Sequence, residues 1–141
     1  PLHGLSAGVG GCILRHGLSL GYDSFTIYCA LGGRMDHLLA NVQTAAFAAE
    51  QGARVTIADE SNPMFVFKDG SMSFPRKENF YISVFCLSDS AHDLSITGAK
   101  YNVSHGELSN VFPIGVSNEW ASDLVTVSVE QGIIMVVQSR R

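Results

Sequence analysis

The rhythm of apolar and polar positions changes once along this chain, near Asp59. Before that point, Phe25-Thr-Ile-Tyr-Cys-Ala-Leu31 is a short apolar run rich in β-branched and aromatic residues, the pattern of a strand covered on both faces. Behind it, Leu38, Leu39, Val42, Ala46, Phe47 and Ala49 recur at helical spacing, which predicts a helix over 37–51 with that apolar face and with Gly52 closing it. A shorter helical pattern runs from Ile13 to Leu20, and Arg54-Val-Thr-Ile-Ala58 reads as a second strand. Strand, helix and strand in this order imply parallel pairing through a right-handed crossover.

After Asp59 the helical period disappears. Met64-Phe-Val-Phe67, Phe80-Tyr-Ile-Ser-Val-Phe-Cys-Leu87 and Leu94-Ser-Ile-Thr97 read as strands, with Lys68-Asp-Gly70 as a turn between two of them. Leu124-Val-Thr-Val-Ser-Val129 and Ile133-Ile-Met-Val-Val137 flank Glu130-Gln-Gly132, which predicts a hairpin. A β-sandwich or barrel follows for this half. The opening, Pro1-Leu-His-Gly-Leu-Ser-Ala-Gly-Val-Gly-Gly-Cys-Ile13, has neither the Gly-x-x-x-x-Gly-Lys-Ser/Thr spacing nor a preceding strand, and reads as a foreign or disordered leader. The expected organisation is therefore a leader over 1–13, a partial α/β unit over 14–59 and a β unit over 60–141. A parallel sheet with only two visible strands leaves edges unpaired, so an oligomer or a rearranged N-terminal part is expected.

The junction between the first strand and its helix carries the densest chemistry. Gly32 and Gly33 let the backbone turn with positive φ and approach a ligand closely. Arg34 offers a planar charged fork suited to phosphate oxygens, and Asp36 can accept hydrogen bonds from the first free N–H groups of the helix. An ordinary connection in which Arg34 and Asp36 merely pair or cap fits the same residues. The second constellation is Gly115-Val-Ser-Asn-Glu-Trp120, where Ser117 and Asn118 could read the edge of an aminopyrimidine or simply form a turn. Trp120 is a core or interface anchor.

Composition narrows the classes. The 141 residues are 46% hydrophobic and 16% charged, which describes a globular protein and not a disordered one. A net charge of −4 gives no bulk attraction to nucleic acid or anionic membranes. No apolar run has the length of a membrane span and the start lacks a signal pattern, so a cytoplasmic location is expected. Cys12, Cys29 and Cys86 are widely spaced and read as reduced structural thiols, and the five histidines show no ligand spacing.

Leu31-Gly-Gly-Arg-Met-Asp-His-Leu-Leu-Ala-Asn41, Ile114-Gly-Val-Ser-Asn-Glu-Trp120 and Val125-Thr-Val-Ser-Val-Glu-Gln-Gly-Ile-Ile-Met-Val-Val137, in this order and spacing, resemble bacterial thiamine pyrophosphokinase over roughly residues 14 to 141. The resemblance implies transfer of a pyrophosphoryl group from ATP to the hydroxyethyl arm of thiamine, giving AMP and thiamine diphosphate. It implies a fold of α/β plus β type: a partial parallel α/β catalytic domain followed by a C-terminal antiparallel β-sandwich. It also implies magnesium and a homodimer whose interface holds thiamine. Gly32, Gly33 and Arg34 are then the nucleotide-binding candidates, Arg34 and Asp36 the catalytic ones, and Ser117, Asn118 and Tyr101 the thiamine-binding ones, with Tyr101 as a stacking platform. One departure matters. The family's upstream acidic motifs, Gly-Asp-Phe-Asp-Ser and Lys-Asp-x-Thr-Asp, have no counterpart before Asp23, so the carboxylates that would hold magnesium are not supplied. On that ground the chain is expected to be truncated or altered at its N-terminus and inactive alone. The alternatives are a non-catalytic thiamine-binding or dimerisation module and a structural remnant without a ligand.

Overall fold

In the computed structural model the described residues are 8–28 and 34–141, with the side chains of 8–13 outside the description. Gly32 and Gly33 lie outside the described residues, as do Cys29, Ala30 and Leu31. The elements are α1 (Gly8–Ser19), β1 (Ser24–Tyr28), α2 (Met35–Glu50), β2 (Arg54–Ala58), β3 (Met64–Pro75), β4 (Phe80–Cys86), β5 (Ser90–Thr97), β6 (Val103–Ser109) and β7 (Leu124–Arg140). Helix α1 begins inside the segment whose composition suggested a leader.

The β-α-β unit forms as expected. β1 and β2 pair in parallel, with Ser24 opposite Arg54 and Tyr28 opposite Ala58, and α2 connects them. α2 ends where Gly52, at φ 92°, donates its N–H to Ala49 O at 2.9 Å while Ala53 N–H reaches Ala48 O at 3.0 Å. These paired bonds satisfy the last free carbonyls of the helix. The buried face of α2 is rotated from the expected one. Ala45, Ala48 and Ala49 are buried with Leu38 and Val42 packed beside them, whereas Leu39 and Phe47 are exposed. Small alanines let the helix lie close on the sheet, and Phe47 instead lies under the Arg15 guanidinium of α1, 5.6 Å away. β1 is not covered on both faces either. It is the edge strand, so Phe25 and Ile27 face the helices while Tyr28 on the other face is 85% exposed.

The seven strands form one hydrogen-bonded sheet in the order β1-β2-β3-β7-β5-β6, with β4 also on β7. It is mostly antiparallel, and no helix follows Asp59. Two expected reversals of the chain are absent. Lys68-Asp-Gly70 lies inside the continuous strand β3, and Glu130-Gln-Gly132 lies inside the continuous strand β7. The two strands pair with each other, Met64 opposite Val137 and Pro75 opposite Leu124, and the register slips between Lys68 and Gly70. The irregularity is built from Asp69 at φ 45°, Gly70 at φ 120° and Gly132 at φ 138°, fastened by Gly132 N–H donating to Asp69 Oδ1 at 2.9 Å. The glycines bend both strands without reversing them, as bulges do at sheet corners.

β3 and β7 divide two cores by simple alternation. Met64, Val66 and Ile133 face the helices, with Met135 and Val137 beside them. Phe67, Ile134 and Val136 face the other way, into a core shared with β4, β5 and Leu108 of β6. β6 itself was not foreseen, because Val103-Ser-His-Gly-Glu-Leu-Ser109 is polar and interrupted by glycine.

The bulge can be tested by adding a single methyl group. A Cβ on Gly132 would lie 2.8 Å from both Cα and Cβ of Ala91, and the backbone there is left-handed. Gly132→Ala is expected to lower stability by about 2–4 kcal/mol in urea unfolding, since crowding adds to the strained backbone. Gly52 also has positive φ, 92°, but open space around it, and Gly52→Ala is expected to cost only about 1–2 kcal/mol.

Candidate functional site

Two groups of candidate residues are separated by the shared wall of strands. At the start of α2, Arg34 occupies the N-cap position with extended backbone and makes no side-chain capping bond. Its guanidinium instead forms a fork on Asp36, Nε to Oδ1 at 3.2 Å and Nη2 to Oδ2 at 2.7 Å. Asp36 Oδ1 also accepts from His37 N–H at 2.9 Å. The Arg34 guanidinium holds the Asp36 carboxyl below the ordinary aspartate range, with the His37 N–H helping. Both side chains are exposed, so the pair is accessible to an anion that competes with the carboxylate for the fork. Of the predicted nucleotide-side residues, Arg34 and Asp36 are thus brought together.

The second group is more tightly built. Residues 115–118 lie along β4: Val84 N–H donates to Gly115 O at 3.1 Å, and Ile82 and Asn118 exchange both backbone hydrogen bonds at 2.9 Å. Between these rungs the buried Ser83 hydroxyl accepts Ser117 N–H at 2.9 Å, holding Ser117 at φ 60°. Asn118 is 4% exposed. Its Nδ2 donates to Tyr101 O at 2.8 Å, and its Oδ1 accepts from Tyr101 N–H and Glu119 N–H, each at 3.0 Å. The amide therefore clasps the backbone of Tyr101 as a neighbouring strand would, from 17 residues away. The Tyr101 ring is left 64% exposed, and Ser117 is exposed beside the clasp.

Asn118 thus ties Tyr101 to the segment that carries Ser117, which is itself held by Ser83. Both lone pairs of its Oδ1 are spoken for, which makes it a holder of Tyr101. Trp120 is a core anchor: it is buried and its Nε1 donates to Phe74 O at 2.9 Å. Ser83 was missed by sequence reasoning. The one available signal was a hydroxyl inside the apolar run Phe80–Leu87, which needs a polar partner if the strand is buried. Next to this unit, a cleft of about 260 Å³ is lined by Val84, Cys86, Leu108, Phe112 and Ile114, among others. Among the described residues no group of three histidine, cysteine or carboxylate side chains is arranged to hold a metal. Cys86 is buried and unpaired by any disulfide.

The family profile described as "Thiamin pyrophosphokinase, vitamin B1 binding domain" matches residues 71–134, which contain this whole unit. The thiamine pyrophosphokinase of Bacillus subtilis is 29% identical over 118 residues, 83% of this chain and 55% of that protein. The crystal structure of the Bacillus subtilis enzyme superimposes with a TM-score of 0.81 at 28% identity, covering 92% of this chain and 61% of that one. By sequence and by fold this chain is similar to thiamin pyrophosphokinases. The fold is also that of the Geobacillus thermodenitrificans protein, at a TM-score of 0.76, 24% identity and coverage of 92% of this chain and 60% of the other. The chain spans little more than half the length of the curated relative it matches.

Two measurements check these geometries. Titration of the Asp36 carboxyl by NMR is expected to give a midpoint below the ordinary value, and Arg34→Ala to raise it. Because the folded pKa lies below the unfolded one, the pair stabilises the fold above the unfolded aspartate pKa, and that contribution is lost as pH falls through the folded value. Asn118→Ala strands the Tyr101 N–H and C=O, and is expected to cost about 1–3 kcal/mol in urea unfolding. Ser117→Ala, at an exposed side chain, is expected to stay within about 0.5 kcal/mol.

Proposed function

We propose that this chain is the thiamine side and part of the nucleotide side of a thiamine pyrophosphokinase, with its β-rich half read as a β-sandwich. The supporting observation is the Asn118 clasp, which holds the exposed Tyr101 against the segment carrying Ser117, inside the stretch matched by the vitamin B1 binding profile. Tyr101 is the platform for a heteroaromatic ring. The Lys100 ammonium stands 5.4 Å from the ring centroid, so the neutral aminopyrimidine suits this ring better than the cationic thiazolium. Ser117 supplies a hydroxyl at the rim of the site.

The reaction moves the terminal pyrophosphoryl group of ATP. The thiamine hydroxyl oxygen forms a bond to the β-phosphorus, the bond from that phosphorus to the oxygen bridging to the α-phosphate breaks, AMP leaves and the hydroxyl proton is released. Such transfers depend mainly on positioning and charge stabilisation. Arg34 holds phosphate oxygens in this scheme, exchanging Asp36 for the substrate as its acceptor, and Gly32 and Gly33 precede it in sequence as the proposed nucleotide-binding glycines. Magnesium is the family's expected companion to ATP, but the described carboxylates do not fit it: Asp36 is engaged by Arg34 and has no second acid beside it. The exposed Tyr101, Val111, Phe112, Ile114 and Val116 support a homodimer formed through the β-rich half.

Calorimetric titration tests the reading. Thiamine is expected to bind the chain, Tyr101→Ala to weaken binding several-fold, in line with about 0.5–2 kcal/mol for an aromatic platform, and Asn118→Ala to weaken it through the released backbone. Absence of thiamine binding by the wild-type chain overturns the proposal.

A further inference from the structure

Outside the two candidate groups, the solvent face of the β5–β6 pair carries a serine, a histidine and a carboxylate in hydrogen-bonded series. Ser90 Oγ lies 3.0 Å from His92 Nε2, and His92 Nδ1 lies 3.2 Å from Glu107 Oε1. The Glu107 carboxylate only accepts, so Nδ1 carries the imidazole proton, Nε2 is left as the acceptor, and the Ser90 hydroxyl donates to it. In that order a base polarises a nucleophile while a third group orients the base.

The sheet sets this order. Ser90 and His92 alternate with Ala91, which is buried, so both side chains stand on the exposed face. Ala91 pairs with Leu108 and Leu94 with Gly106, which leaves His92 and Asp93 opposite Glu107 alone. Such a bulge, here with Asp93 at φ 57°, re-aims side chains. It also sorts the acids: Asp93 is taken by His105 at 2.5 Å, and Glu107 is left to His92. The Ser90 carbonyl accepts from Ser88 Oγ at 2.7 Å, and that hydroxyl accepts Ile133 N–H at 3.0 Å, so the backbone of the nucleophile is pinned to β7. Ser109, opposite Ser90 in the ladder, lines the cleft of about 260 Å³ together with Val84, Cys86 and Leu108. Asn110, at the same cleft, carries a carboxamide, a donor suited to a developing oxyanion.

We infer that Ser90, His92 and Glu107 form an acyl-transfer site that hydrolyses esters of short apolar carboxylic acids, with the acyl chain in the cleft. Ser90 Oγ bonds to the acyl carbon as its proton passes to His92 Nε2, which hands that proton to the departing alkoxide as the ester C–O bond breaks. Water then adds to the acyl carbon, giving one proton to His92. The bond from that carbon to Ser90 Oγ breaks, the carboxylic acid leaves, and His92 returns the proton to Ser90. Glu107 is a positioning residue that acts through His92. The site uses none of the residues proposed to hold thiamine or nucleotide, so either reading can fail alone.

Incubation of the chain with 4-nitrophenyl butyrate tests this, with nitrophenolate release followed by absorbance and the butyryl group located by peptide mass mapping. The expected result is a butyryl group on Ser90, with release slowed about tenfold or more in Ser90→Ala and in His92→Gln, within the range a general base contributes. The neighbouring ionisable groups Asp93, His105 and Glu130 are engaged with one another, so Glu107 dominates the charge at His92. The wild-type rate should therefore rise with pH as His92 loses its proton, and Glu107→Gln should move that rise to lower pH, since the carboxylate favours the imidazolium. Ser90, His92 and Glu107 are exposed, and thermal unfolding checks that the variants remain folded. Absence of a butyryl group on Ser90, or a rate that Ser90→Ala or His92→Gln leaves undiminished, overturns the site.

Discussion

The pairing of β3 with β7 is the constraint on which the other elements depend. Each strand points alternate side chains into different cores, so one ladder of hydrogen bonds positions both the helical layer and the β-rich core. A slip of one residue would exchange Val66 with Phe67 and Ile133 with Ile134, turning every side chain toward the wrong core. The bulge at Asp69, Gly70 and Gly132 lets this pair bend, so that β7 takes β4 along one stretch and β5 along another. Both candidate sites inherit their placement from that division. Arg34 and Asp36 sit on the helix that covers one face, and the Asn118 clasp is pinned to β4 beside the other core.

The clasp shows how a buried polar side chain can substitute for secondary structure. Tyr101 lies in a loop outside any strand, where its backbone N–H and C=O need partners that no ladder supplies. The Asn118 carboxamide supplies one donor and one acceptor at the spacing of a strand, and its own backbone is anchored on Ile82. Rigidity is thereby passed from the sheet to an exposed aromatic ring. The Ser83 hydroxyl does the same for Ser117, at a backbone angle that a serine does not readily adopt alone.

Much of the architecture was legible where one physical requirement dominated. The β-α-β unit showed itself because a strand's composition, a helical period and a closing glycine coincide between Phe25 and Ala58. The bulges were misread as turns because Asp-Gly and Gln-Gly signal positive φ, and a strand that bends and a strand that reverses both need it. Helix α2 was rotated in expectation because Leu39 and Phe47 outweigh alanine on any hydropathy scale, while close packing against the sheet selects Ala45 and Ala48. At the site, the residue types of Ser117, Asn118 and Tyr101 were recognisable from local motifs. Their connection was not, since it is a contact between segments distant in sequence, and Ser83 gave no signal stronger than a lone hydroxyl in an apolar strand.

The position of β7 in chain order also bears on how the protein is made. The strand that joins β3, β4 and β5 comes after all three, so during synthesis each of them emerges before the partner that completes it. Their apolar edges stay open until β7 leaves the ribosome, and closing them joins residues as far apart as Met64 and Val137. The finished sheet has few exposed edges, but its nascent form has many. The interval before β7 arrives is when this chain is most open to capture by chaperones or by other copies of itself.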